Sequence, residues 1–205
     1  MTSVPRAPDS WAIWFTDGQC QLSGRHPPRT HDGTTKTSGD LVPQIFIYRS
    51  IMPATAHDVF AWHERPTALL ELLPSSGFAR VLSRSGGIRD GGRIVFTLGV
   101  GPLRIRWEAV HFGYVQDEQF CDEQVRGPFR VWRHTHRVTP LSTSSCRLED
   151  RVEYALPGGR LIRVIAGPAV RRMLVSMFER RHAITRASFQ PTTIDTKGTR
   201  ARRKR

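Results

Sequence analysis

Cysteine is scarce in this chain. Cys20, Cys121 and Cys146 are odd in number and show no C-x-x-C spacing, which argues against a disulfide framework and gives a zinc knuckle nothing to build on. A reducing compartment fits that usage. Long apolar runs are missing too. "WAIWF" is too short for a signal-peptide core, and no later run approaches the ~20 apolar residues of a membrane span, so the expectation is a soluble, cytoplasmic protein. No G-x-S-x-G elbow presents a nucleophile, since "LSTSSC" at 141–146 sets its hydroxyls and thiol in a turn. A dinucleotide-binding glycine fingerprint is also lacking. "SGGIRDGG" at 85–92 lies between strand-like runs and reads as a hairpin turn rather than a phosphate cradle.

Acidic residues are few, 18 against 31 Lys and Arg, for a formal net charge of +13 over 205 residues. Residues 1–43 carry four basic and four acidic side chains, and 186–205 carry seven and one, so the last segment alone holds +6. Such a field attracts nucleic acid, anionic lipid or acidic protein without choosing among them. Aromatic interleaving, the mark of single-strand binding, is missing from "KGTRARRKR", so nucleic acid is a minor reading. Peripheral contact of the tail with an anionic membrane stays open. Arg180, Arg181 and His182 sit where a helix C-terminus favours cations, which accounts for that cluster.

What is present organises one domain. Residues 1–43 are rich in Pro, Gly, Ser, Thr and Asp without periodicity and read as flexible, as does the basic tail 188–205. Between them, 44–187 is long enough for one core. "QIFIYRSI" reads as a first strand, and "PATAHDVFAWHERPTALLELLP" as two short helices bent at Pro66. From Phe78 the pattern turns to period two, with turn signals every eight to twelve residues, so about six antiparallel strands follow. On their inward faces the alternation sets Ile94, Phe96, Leu98 and Val100, then Leu103, Ile105, Trp107, Ala109 and His111, and later Cys146, Leu148, Asp150, Val152 and Tyr154. Val170, Met173, Leu174, Met177 and Phe178 form one stripe of a long C-terminal helix, which Gly167-Pro168 either starts or kinks. The class is α+β, a curved antiparallel sheet of about seven strands wrapped around that helix.

This order resembles the SRPBCC superfamily, the helix-grip fold of START lipid-transfer domains, polyketide cyclases/dehydrases and coenzyme Q-binding proteins. In particular it is similar to a bacterial ligand-binding branch that also occurs fused to nucleotide-sugar-epimerase-like domains. The likeness is carried by "VFAWHERPTALLELLP" at 59–74, "GGIRDGGRI" at 86–94, "FCDEQVRGPFRVWRHTHRV" at 120–138, "LEDRVEYALPGG" at 148–159 and "MFERRHAIT" at 177–185. The resemblance implies an elongated cavity between the concave sheet and the long helix.

Inward registers then become candidate lining: Trp107, His111, Asp122, Gln124, Trp132, His134, His136, Asp150, Tyr154 and, from the helix, Met177. Three chemistries compete for the polar members. His134 and His136 share a strand face and His111 could add a third nitrogen, but nothing else marks a ligand set, so neither a metal nor a cofactor is assigned. His134 or His136, oriented by Asp150 or Asp122, could act as general base in a cyclase, dehydratase or hydrolase. The bland reading is a hydrogen-bonded set satisfying buried polar groups. His63, after Trp62, stands either at a pocket mouth or in helix-end packing. The reading ranked first is binding, transport or presentation of a hydrophobic or amphipathic small molecule, with a partner enzyme left open and catalysis second.

Overall fold

The computed structural model describes residues 13–16, 19–22, 42–74 and 77–190. Most of the two segments expected to be flexible lies outside those residues. Where 1–43 is described, β1 (Ile13–Thr16) pairs antiparallel with β2 (Gln19–Leu22), two short strands that the absence of periodicity did not announce. Four-residue strands carry too little alternation to stand out.

Seven strands form the main sheet: β3 (Gln44–Met52), β4 (Ala79–Ser85), β5 (Arg93–Val100), β6 (Leu103–Val115), β7 (Gln119–Arg126), β8 (Val131–Ser142) and β9 (Ser145–Ala155). Every pair is antiparallel, in the order β3-β9-β8-β7-β6-β5-β4. The last six run as a meander, and the first strand closes on the last, Phe46 opposite Val152 and Ser50 opposite Leu148. Register shifts in β4/β5, β6/β7 and β8/β9 give the local bends by which such a sheet curves.

Between β3 and β4 lie α1 (Ala56–Glu64) and α2 (Ala68–Leu72). Thr55 caps α1 by accepting from the Asp58 amide at 3.1 Å, and Pro66 follows its end. Arg180 donates to the carbonyls of Leu72 and Leu73, so it serves the otherwise bare end of α2.

The long helix α3 spans Gly159–Ala187 and carries Pro168 inside it, which settles the open choice at Gly167-Pro168 in favour of one helix. It starts after Gly158, whose φ of +88° suits glycine and where a Cβ would meet Ile162 at 2.5 Å. Leu174, Phe178, His182 and Thr185 form its buried stripe.

The two largest of four apolar clusters among the described residues fill most of the interior. Phe46, Trp107, Trp132, Tyr154, Leu174 and Phe178 belong to the one beneath α3, and Val59 and Phe60 of α1 pack with Met52, Phe120, Val138 and Leu148 in the other. In β9, Cys146, Leu148, Asp150, Val152 and Tyr154 are all buried, as their alternation predicts. The inward face of β6 departs from expectation. Leu103 is 83% and Ile105 51% exposed while Trp107 and Ala109 on the same face are buried, and Met173 of the helix stripe is 47% exposed. The first residues of β6 extend past the packed core, and Met173 lies at the margin of the stripe centred on Leu174 and Phe178.

Candidate functional site

Between the two clusters the concave face turns polar. Strand alternation sends His134 and His136 of β8 to the same side, and the register sets Asp122 of β7 directly opposite His134 and Asp150 of β9 directly opposite His136. Directly opposed side chains lie about 4.5–5.5 Å apart at Cβ, within bonding reach for Asp and His. Backbone pairing alone therefore assembles two carboxylates and two imidazoles.

Asp150 is the hub. Its Oδ1 accepts from His134 Nε2 at 2.7 Å, and its Oδ2 accepts from His182 Nε2 of α3 at 2.5 Å. His136 Nδ1 also lies 2.7 Å from Oδ1, in an ion-pair contact too bent to count as a hydrogen bond. On the far side of the histidines, Asp122 Oδ1 is 3.2 Å from His134 Nδ1 and 3.6 Å from His136 Nε2. Because a carboxylate only accepts, His182 Nε2 carries the proton toward Asp150. Ser50 Oγ of β3 bonds the opposite nitrogen of His182 at 2.6 Å. The network thus runs from β7 through β8 and β9 to α3 and the edge strand.

Aromatic faces wall it in. Phe120 stacks on His136 at 4.1 Å, Phe178 meets His134 edge-on at 5.1 Å, and Tyr48 meets His182 edge-on at 4.7 Å. Burial by itself raises both carboxyls, but the facing histidines outweigh it and hold Asp122 and Asp150 below the usual carboxylate range. Burial likewise lowers His134, but Asp122 and then Asp150 outweigh it, so its pKa is raised and its charged form favoured. His63 is different: its Nδ1–H donates to the Val59 carbonyl at 2.7 Å, and burial, with His136 nearby, lowers its pKa to about 3. It is a neutral packing histidine, 6.2 Å from the His136 ring.

The expected lining residues separate into groups. Asp122, His134, His136 and Asp150 meet in the network. Trp107, Trp132 and Tyr154 are buried in the adjoining aromatic cluster, with the Trp107 and Trp132 rings 4.9 Å apart, and Met177 packs at its edge. These rings pack on one another as well as facing inward. Gln124 is spent locally: its amide donates to the Phe129 carbonyl at 2.7 Å and accepts from the Phe129 amide at 3.3 Å, clasping the turn at Gly127-Pro128. His111, opposite Asp122 on β6, has a buried Nδ1 with no hydrogen-bond partner among the described residues, and burial lowers its pKa.

Two network members escaped the sequence reading. His182 is not part of a cationic helix end; it is buried, and its spacing of four from Phe178 was the available cue. Ser50 carried no signal beyond its inward register on β3. A groove of about 760 Å³ elsewhere, lined by residues including Asp117, Glu118, Arg137, Arg147 and Glu149, contains none of the network.

The family described as polyketide cyclase / dehydrase and lipid transport matches residues 52–180. A search of curated proteins finds no match. Among solved structures, norcoclaurine synthase from Thalictrum flavum is similar with a TM-score of 0.61 and 16% identity, over 81% of this chain and 97% of that one. A START superfamily protein from Mycobacterium smegmatis gives 0.52 and 12%, over 70% and 95%. A nucleoside-diphosphate sugar epimerase from Corynebacterium glutamicum gives 0.54 and 22%, covering 69% of this chain but 28% of that one. At these identities the likeness is one of fold.

Proposed function

The chain belongs to the polyketide cyclase / dehydrase and lipid transport family, and from that premise we propose that it binds a hydrophobic or amphipathic small molecule between sheet and α3, with its polar end at the histidine–aspartate network. The observation that carries this is the uncovered inner face at one end of the sheet. Leu103 and Ile105 are open to solvent on the face that leads through half-buried Phe96, Leu98 and Phe129 to Trp107, and Leu161, Ile162, Val164 and Ile165 of the first turns of α3 are exposed as well. Exposed apolar side chains that share one strand face, as Leu103 and Ile105 do, mark a surface suited to cover by a ligand or partner. Burying an apolar ligand there would contribute roughly 25 cal/mol per Å² removed from water. The unpartnered His111 Nδ1 and the Asp122 carboxylate offer its polar end a donor or acceptor.

The test is fluorescence titration of the full chain, following Trp107 and Trp132, with a fatty acid, a prenylated naphthoquinone and a tricyclic aromatic polyketide. Saturable quenching by at least one, weakened about tenfold or more by Leu103→Glu with Ile105→Glu, is expected. No saturable response to any of them refutes the reading.

A second reading rests on His134. Flanked by two carboxylates that favour its imidazolium form, it is suited to donate a proton, so an enzyme of the cyclase, dehydratase or hydrolase type would use it as general acid rather than base. His134→Gln would then abolish turnover while leaving ligand affinity within about tenfold; equal loss of both favours binding alone.

A further inference from the structure

Independently of small-molecule binding, we propose that Asp122, His134 and His136 bind a divalent first-row transition ion, with zinc the first ion to test and Asp150 the group that orients both imidazoles. Two histidines at i and i+2 name no ligand set by themselves; the third ligand comes from the neighbouring strand, by register. His134 Nδ1 and His136 Nε2 face one oxygen, Asp122 Oδ1, at 3.2 and 3.6 Å, and the ligand atoms of the three residues lie within 4.8 Å of one another. A tetrahedral ion with bonds of about 2.0–2.1 Å separates neighbouring ligand atoms by about 3.3–3.4 Å. Small side-chain adjustments therefore suffice to close the three around an ion.

The outward-facing nitrogens make the stronger argument. His134 Nε2 and His136 Nδ1, the nitrogens turned away from Asp122, both lie 2.7 Å from Asp150 Oδ1. A carboxylate behind a ligating imidazole fixes its orientation and raises its basicity, and here one carboxylate is hydrogen-bonded to His134 and in close contact with His136. Asp150 is itself held through Oδ2 by His182, which is tied to Ser50, so the orienting group is pinned to α3 and the edge strand.

Charge points the same way. Two carboxylates at a largely buried site call for positive charge, and a divalent ion supplies it. Imidazole and carboxylate without thiolate suit Zn²⁺ or Fe²⁺. Three protein ligands leave a coordination position open, as at sites where the ion meets a substrate or water.

The full chain is stripped with chelator, then loaded separately with Zn²⁺ and Co²⁺. The wild type is expected to keep about one equivalent of Zn²⁺ through dialysis and to give the visible absorption of low-symmetry Co²⁺. Asp122→Asn with His136→Gln should lower retained zinc below about a tenth of an equivalent, Asp150→Asn should weaken binding about 10–100-fold, and His57→Ala, at an exposed histidine, should change nothing. Circular dichroism establishes that each variant is folded. Wild type without retained zinc and without a cobalt spectrum overturns the proposal, as does undiminished retention in the Asp122/His136 variant. Should that variant not fold, the wild-type cobalt spectrum decides. No organic ligand is needed for any of these readings, so failure here leaves small-molecule binding standing, and the reverse.

Discussion

Replacing Asp150 by Asn keeps shape and volume and removes only the charge on which the network converges. Asp150 is 3% exposed and within 2.7 Å of three histidine nitrogens. The amide can accept through one atom only, and its NH₂ turns a donor toward imidazole N–H groups that also donate. His134, whose charged form is favoured by two carboxylates, keeps only Asp122. Removing one partner from a buried ionic set costs about 3–5 kcal/mol. For a chain of this length each kcal/mol lowers Tm by about 2–4 °C, so metal-free D150N should melt roughly 6–20 °C below wild type. Urea unfolding followed by circular dichroism should give the same loss with an unchanged slope, since no extra surface is exposed. A loss under about 1 kcal/mol would refute the reasoning, because it would mean that Asp150 does not organise the cluster.

Other outcomes follow from the same structure. His63→Phe should flatten the acid limb of stability: His63 falls from an ordinary 6.5 to about 3 in the fold, so between those values the unfolded chain takes up the proton first and wild type loses up to about 1.4 kcal/mol per pH unit as pH falls. Equal acid limbs in the two proteins by urea melts at pH 4–7 would contradict this. Phe178→Ala, deleting a fully buried ring stacked on Phe46, should cost about 3–5 kcal/mol in urea melts. Gly99→Ala should destabilise by more than about 1 kcal/mol in thermal melts, since φ there is +126° and a Cβ would meet the Leu103 carbonyl at 2.0 Å.

Local periodicity made much of this legible. Arg147, Glu149, Arg151 and Glu153 against Cys146, Leu148, Asp150, Val152 and Tyr154 gave β9 its two faces unaided, and the same alternation put His134 and His136 on one side. What periodicity could not supply was pairing between distant segments. That β3 closes on β9, bringing Tyr48 opposite Asp150 and Ser50 within reach of His182, depends on contacts a hundred residues apart. His182 was misread because Arg180 and Arg181 precede it and a charged helix end was explanation enough; only the packed helix reveals that the Leu174–Phe178 stripe continues through it. Gln124 had the right face but a nearer partner in the Phe129 backbone. Leu103 and Ile105 had inward register, yet register does not say how far the cover extends.

Native mass spectrometry of freshly purified full-length protein tests the central claim most directly. The account predicts a population heavier than the bare chain by the mass of an organic molecule, released as the collision energy is raised and diminished by Leu103→Glu with Ile105→Glu. A spectrum showing only the bare chain, with no gain in mass on incubation with the fatty acid, quinone or polyketide probes, would contradict it.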